Sequence, residues 1–261
     1  MKDYLNIIKY EIQIDIKEVF KYKISIISSF IIFLLTYIAI FYFNVSTGFV
    51  NYYKTTEHVG NVLVLIGYLF WQISSYSLGY SATQIMNEAS RGELELRLQS
   101  KYSISLLLFF KMISSFLSFI VIWAGIFGFA LIIHSVQFSD IGYILLSFLI
   151  AIPSIMGMYG MGLILGGVAL IEKNVGQFIY LIQLAILFLS NSLSPTRSIL
   201  INILPFNIGI EITRNLYMGI NISSIKVLSY FIVNIFWLTI GTYTFNRILH
   251  FVRKKGSFDN Y

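Results

Sequence analysis

Of the chain's 261 residues, 57% are apolar and only 11% are charged, against about 25% charged in an average soluble domain. That balance excludes an ordinary water-soluble core and points to lipid as the solvent for much of the chain. Cysteine is absent, which excludes a disulfide framework and a thiolate metal site. The formal net charge of +6 is informative chiefly through its distribution between loops.

The first 23 residues are neither a span nor a featureless tail. On a helical wheel Leu5, Ile8, Ile12, Ile16, Val19 and Phe20 form an apolar arc, with Lys9, Lys17 and Lys21 on one flank and Glu11, Asp15 and Glu18 on the other. This pattern predicts an amphipathic helix lying in the membrane interface; the plainer alternative is a solvated helix packed on the protein itself. The apolar run that follows shows no small-residue cleavage pattern, so we expect the first span to be retained rather than removed as a signal peptide.

A spanning helix needs about 20 mostly apolar residues. By that measure the chain reads as one all-α integral membrane domain, 1–261, with six spans at Ile24–Phe43, Asn61–Gln84, Ile104–His134, Ile141–Leu170, Gly176–Leu193 and Ile225–Leu249. An even number of spans places both termini on one side. That side carries Lys2, Lys9, Lys17, Lys21, Lys23, Arg91, Arg97, Lys101, Lys111, Lys173, Arg247, Arg253, Lys254 and Lys255, whereas the other carries only Lys54, Arg197, Arg214 and Lys226. Because Lys and Arg are retained in the cytoplasm, the termini and the loop after the second span are expected inside.

That loop, over 86–101, reads MNEASRGELELRLQSK and is too densely charged for lipid. It suits a short helix that docks on a soluble partner, or a solvated connector whose long side chains snorkel. Between the fifth and sixth spans, 194–222 holds two prolines and apolar pieces too short to cross. Glu211 and Arg214 stand three apart there, on one face if helical, and are expected to form a structural ion pair, since charge near lipid is costly unless paired.

Within the spans, Trp71, Gln72, Ser75 and Tyr76 in the second and Gln177, Gln183 and Asn191 in the fifth are amphipathic or polar. They are expected to avoid lipid, either by joining helices or by lining a cargo pathway. Gly162-x-x-x-Gly166 in the fourth span is expected to let another helix approach closely. His58, His134 and His250 fall near separate loops, with no H-E-x-x-H pair for zinc and no paired carboxylates in the spans. No embedded enzyme and no metal site is expected, and the aromatics read as packing and interface belts rather than a nucleic-acid platform.

Two motifs carry a family resemblance. Glu88, Arg91, Gly92, Glu93, Leu94, Glu95 and Leu96 resemble the coupling segment of type-2 ABC exporter permeases, with Glu93 where that family commonly has Thr. Farther on, Leu204–Gly219, LPFNIGIEITRNLYMG, is similar to the family's late motif through Pro205, Glu211, Arg214 and Gly219, with Leu204 in place of the usual Asn. The resemblance covers nearly the whole chain and implies an interfacial elbow over 1–23, a cytoplasmic coupling helix over 86–101 and re-entrant half-helices over 194–222.

It further implies that Glu88, Arg91, Gly92, Glu93, Leu94 and Leu98 couple the chain to a separate ABC ATPase, charge pairs of Glu88, Arg91 and Glu93 positioning the helix while Leu94 and Leu98 supply buried contact. The chain has no G-x-x-x-x-G-K-[ST] loop, so ATP and Mg are expected in that partner and no cofactor in this chain. A second copy of the chain, or a related permease, would complete a dimer in the bacterial cytoplasmic membrane. The aromatic, charge-poor spans suit export of a hydrophobic peptide, antibiotic or lipid-like cargo. A polysaccharide or teichoic-acid exporter is the alternative within the family, and a non-transporting scaffold that recruits a soluble protein is the alternative outside it.

Overall fold

A long apolar run in lipid must close its backbone hydrogen bonds within itself, and every regular element among the described residues is helical. The computed structural model describes residues 23–172, 174–195 and 198–255, with Gln13 besides. The interfacial helix expected over 1–23 therefore lies outside the described residues, apart from Gln13 and Lys23. In chain order the elements are α1 (Lys23–Tyr42), α2 (Ser46–Tyr53), α3 (Glu57–Ser90), α4 (Leu94–Leu98), α5 (Ile104–Ile132), a 3-10 turn at Phe138–Asp140 leading into α6 (Ile141–Ile171), α7 (Gly176–Leu189), a 3-10 turn at Ile199–Ile203, α8 (Asn207–Tyr217) and α9 (Ser224–Lys255).

The architecture is that of an α-helical membrane protein. Helices α3, α5, α6 with its leading turn, and α9 are each long and apolar enough to cross a bilayer; α1 and α2 qualify as one broken segment, bent by 51°. The bend sits at Asn44, whose φ of 49° is left-handed. There the Asn44 N–H reaches the Phe41 carbonyl (3.0 Å) and the Val45 N–H the Ile40 carbonyl (3.3 Å), the paired bonds of a Schellman reversal.

The predicted fifth span, Gly176–Leu193, holds a shorter helix than expected. Its helix stops at Leu189 after 14 residues, about 21 Å at 1.5 Å per residue, against a hydrocarbon core of about 30 Å. It runs antiparallel along α3: the Val175 N–H meets Met86 Sδ, Gln183 binds the Ser75 carbonyl, and Ser192 abuts Gly67. Beyond Gly67 the flank of α3 is covered by α8 instead, whose Arg214 binds the Leu63 carbonyl.

Helix α3 is the hub. Of its apolar window 89% is buried inside the protein, against 17% for α9, and its polar residues there are mostly small. Ser74, Ser77 and Ser81 are fully buried, which lets neighbouring backbones come near. A Cβ on Gly162 of α6 would lie 2.8 Å from the Ser77 carbonyl oxygen, and one on Gly166 would lie 3.2 Å from both Ser81 Cβ and Ile85 Cδ1. The close-packing reading of Gly162-x-x-x-Gly166 thus describes the α3–α6 seam. On the other side of α6, Gly160 faces Gly241 of α9 so tightly that a Cβ on Gly241 would run into the Gly160 carbonyl.

Pro153 lies inside α6, where it removes an intrahelical donor. One residue on, the Ser154 N–H donates to the Tyr230 hydroxyl of α9 (3.2 Å), which donates to the Ile150 carbonyl (2.6 Å). A side chain from α9 thus bonds both the N–H and the carbonyl of one i→i−4 pair of α6 beside the proline.

Candidate functional site

The charged stretch begins as the end of α3. That helix continues past the predicted boundary at Gln84 to Ser90, so Glu88 belongs to its last turn. Gly92 then adopts φ 71°. Its N–H bonds the Ala89 carbonyl (3.1 Å) while the Glu93 N–H bonds the Glu88 carbonyl (2.8 Å): a Schellman stop, for which glycine is the residue without a steric penalty. The chain reverses into the five-residue α4. The single coupling helix expected over 86–101 is corrected to a helix end, a glycine reversal and a short second helix.

The role expected for Glu88 is corrected with it. Its side chain is 2% exposed; its carboxylate accepts from Gln84 Nε2 at 2.6 Å, pairs with Arg97 Nε at 2.8 Å and lies 3.6 Å from Lys111 Nζ. A carboxylate taken out of water is tolerated only when opposite charges surround it. This one gathers α3, α4 and α5 and is no surface for a partner. Leu94 is buried in the same core, and the Leu98 side chain is outside the described residues. What faces outward is Arg91, Gly92, Glu93 and Glu95, with Leu96 72% exposed. Gln84 four residues before Glu88 was a readable helical pair; Arg97 and Lys111 become partners only through the reversal at Gly92.

At the other end of α3 the buried ion is a cation. Arg214 is 0% exposed. Its Nε donates to the Leu63 carbonyl (2.9 Å), Nη1 to the Asn191 carbonyl (2.7 Å) and Oδ1 (3.2 Å), and Nη2 to the Ser192 carbonyl (3.0 Å). Its Cζ lies 4.4 Å from the centre of the Phe49 ring, within cation–π range. The predicted Glu211–Arg214 ion pair is corrected, because Glu211 is paired with Lys226 at the base of α9. The three-residue spacing was right, but Arg214 turns inward to carbonyls that α7 frees by ending early. Asn191 is fixed in turn, its N–H donating to Asn207 Oδ1 (3.2 Å) and Asn207 Nδ2 donating to the Ile201 carbonyl (2.7 Å).

Helix α8 closes as α3 does. Gly219 has φ 67°; its N–H reaches the Leu216 carbonyl (3.2 Å) and the Ile220 N–H the Asn215 carbonyl (2.8 Å). Just inside that stop, the Tyr217 hydroxyl donates to Asp140 Oδ1 (3.0 Å), while Asp140 Oδ2 takes the Gln137 N–H (2.8 Å) and lies 3.2 Å from His58 Nε2. Burial and the adjacent Asp140 carboxylate raise the Tyr217 phenol above its usual range, so it stays a donor. The starts of α3 and α6 and the end of α8 are thereby tied together.

The mid-span polar residues are used largely to join helices. Trp71 Nε1 donates to the Gln183 carbonyl (3.1 Å) and Gln183 Nε2 to the Ser75 carbonyl (2.8 Å), linking α3 to α7. Gln72 Nε2 donates to the Tyr68 hydroxyl (2.8 Å), which donates to the Phe33 carbonyl of α1 (2.6 Å). Tyr76 packs its ring 5.2 Å from Phe116 and 5.3 Å from Phe119 on α5. Gln177 is exposed near the start of α7, and Asn191 belongs to the Arg214 cluster. No family model matches this chain, and no curated protein matches it.

Proposed function

We propose that this chain is the membrane permease subunit of an ATP-driven exporter, with six crossings and both termini in the cytoplasm. The observation that carries the reading is the mounting of the exposed face. Arg91, Glu93, Glu95 and Leu96 present charge and one large apolar side chain to water, on a turn clamped by buried Glu88 to Arg97 and Lys111. A mixed-charge patch on a rigid base suits a soluble partner, and a push on it reaches α3, the hub, and α5 together. The resemblance of this segment and of Leu204–Gly219 to type-2 ABC exporter permeases names that partner as an ATPase carrying ATP and Mg.

Counting α7 as a crossing completes the six. With five, Arg247, Arg253 and Lys254 at the end of α9 would lie outside, against the retention of basic residues in the cytoplasm. In this reading α7 is shorter than the bilayer because α8 and its turns form a re-entrant segment that fills the outer part of that path, where protein rather than lipid satisfies the broken backbone. A second permease copy supplies the other wall of the pathway, and a hydrophobic peptide, antibiotic or lipid-like molecule is the cargo.

The test is purification of the intact chain in mild detergent with Glu93→Lys and Gly92→Val beside it. Expected is co-purification of an ATPase whose turnover depends on the chain and falls at least about tenfold with either variant. Capture of a stable partner without nucleotide turnover would instead establish the scaffold reading. Labelling of 91–96 from the cell exterior would overturn both.

A further inference from the structure

An open cleft of about 510 Å³ lies at the end of the bundle opposite the charged turn, lined by Tyr53 at the end of α2, Thr55, Val59 on α3, and Tyr217, Met218 and Ile220 at the end of α8. That volume falls within the roughly 300–1,000 Å³ of small-molecule sites. Its walls are apolar or phenolic, and Thr55 Oγ1 is buried without a hydrogen-bond partner. A step of about 120° around the Thr55 Cα–Cβ bond moves the hydroxyl out of that buried position to another staggered one, where a ligand group in the cleft gives it the partner it lacks.

None of the six lining side chains is charged. Of the charges nearby, Asp140 is held by His58 and Tyr217, Glu211 is paired with Lys226, and Arg214 is sealed beneath Phe49 among carbonyls. Lys54 and Glu57, which flank Thr55 in the chain, are exposed and opposite in sign, so together they add no net charge, whereas exposed Ile220 adds apolar surface to the lining. We propose that this cleft binds an uncharged amphipathic molecule, its hydrocarbon part against Val59, Met218 and Ile220 and its hydroxyl or carbonyl head on Thr55. The Tyr217–Asp140–His58 ties hold one wall of the site in place. The proposal goes beyond the exporter reading and needs no ATPase.

The experiment is photolabelling of the purified chain in lipid nanodiscs by a diazirine-bearing octanol, with the labelled peptides mapped by mass spectrometry. Expected is saturable label on peptides containing residues 53–59 and 217–220, displaced by octanol but not by octane. Met218→Trp, which fills the cleft, should abolish the saturable label; Thr55→Val, of the same shape, should weaken it about fivefold to tenfold; Leu228→Trp on the exposed face of α9 should leave it unchanged. Non-saturable label spread along α7 and α9, equal displacement by octane, or label insensitive to Met218→Trp or Thr55→Val would overturn it. The mapping on the unsubstituted chain stands even if a variant fails to fold.

Discussion

Two buried ions sit toward opposite ends of α3 and are neutralised by different means. Glu88 is surrounded by opposite charges, Arg97 and Lys111, brought by a glycine reversal. Arg214 is surrounded by carbonyl oxygens of Leu63, Asn191 and Ser192 and by the face of Phe49, while its sequence neighbour Glu211 pairs elsewhere. A carboxylate can be satisfied by side chains reaching in from successive helices. A guanidinium, with donors in a rigid fork, suits a place where backbone has been left open, and the early end of α7 leaves it open. The first node joins helices that can move as a unit; the second plugs a break.

Breaking the plug should have the largest effect. Arg214→Ala takes the guanidinium donors away from the carbonyls of Leu63, Asn191 and Ser192 and leaves a void beside Phe49, and is expected to cost about 3–5 kcal/mol, read by denaturant titration in mixed micelles. Arg214→Lys should recover less than half of that loss, since an ammonium cannot span Leu63, Asn191 and Ser192 at once; full recovery would reduce the node to charge alone.

Glu88→Ala ranks next, at about 2–4 kcal/mol, because it removes the carboxylate that two largely buried cations share. A double-mutant cycle of Glu88→Gln with Arg97→Met should give a coupling of about 1–3 kcal/mol. Additivity there would mean the clamp does not join α3 to α4.

Tyr230→Phe removes the one hydroxyl that bonds both the Ser154 N–H and the Ile150 carbonyl of α6, and should cost about 1–3 kcal/mol. A loss under about 0.5 kcal/mol would show that α6 closes its own ladder. The smallest effect is expected at the turn: Gly92→Ala should cost about 1–2 kcal/mol through its left-handed backbone, and Glu93→Lys should stay within about 0.5 kcal/mol. Loss of ATPase capture by Glu93→Lys without loss of stability would separate the exposed face from the clamp beneath it.

The legible features were those set by local composition. Five of the six expected segments are helices with boundaries within a few residues, save that α3 extends to Ser90 and α9 to Lys255, because apolar runs of that length have few alternatives to helix. The charged stretch stood out from the apolar runs, but the stop at Gly92 inside it was not read. The left-handed turns at Asn44, Lys54 and His134 were not legible, since Asn and His adopt that conformation at only a minority of their positions and Lys has no preference for it. Glu211 and Arg214 were correctly placed three apart, but which way a side chain turns depends on the backbone it meets, and Arg214 meets carbonyls contributed by a segment more than twenty residues earlier.

Composition alone determined that this is a bundle of apolar helices interrupted by one dense charged turn, because unbroken apolar runs of spanning length satisfy their backbone in hydrocarbon as helix, and hydrocarbon repels clustered charge. Tertiary structure alone decided which charges are buried and which are offered to water, and where α7 stops. Those outcomes turn on the supply of opposite charges and open carbonyls by distant segments, and neighbouring residues in the chain do not specify them.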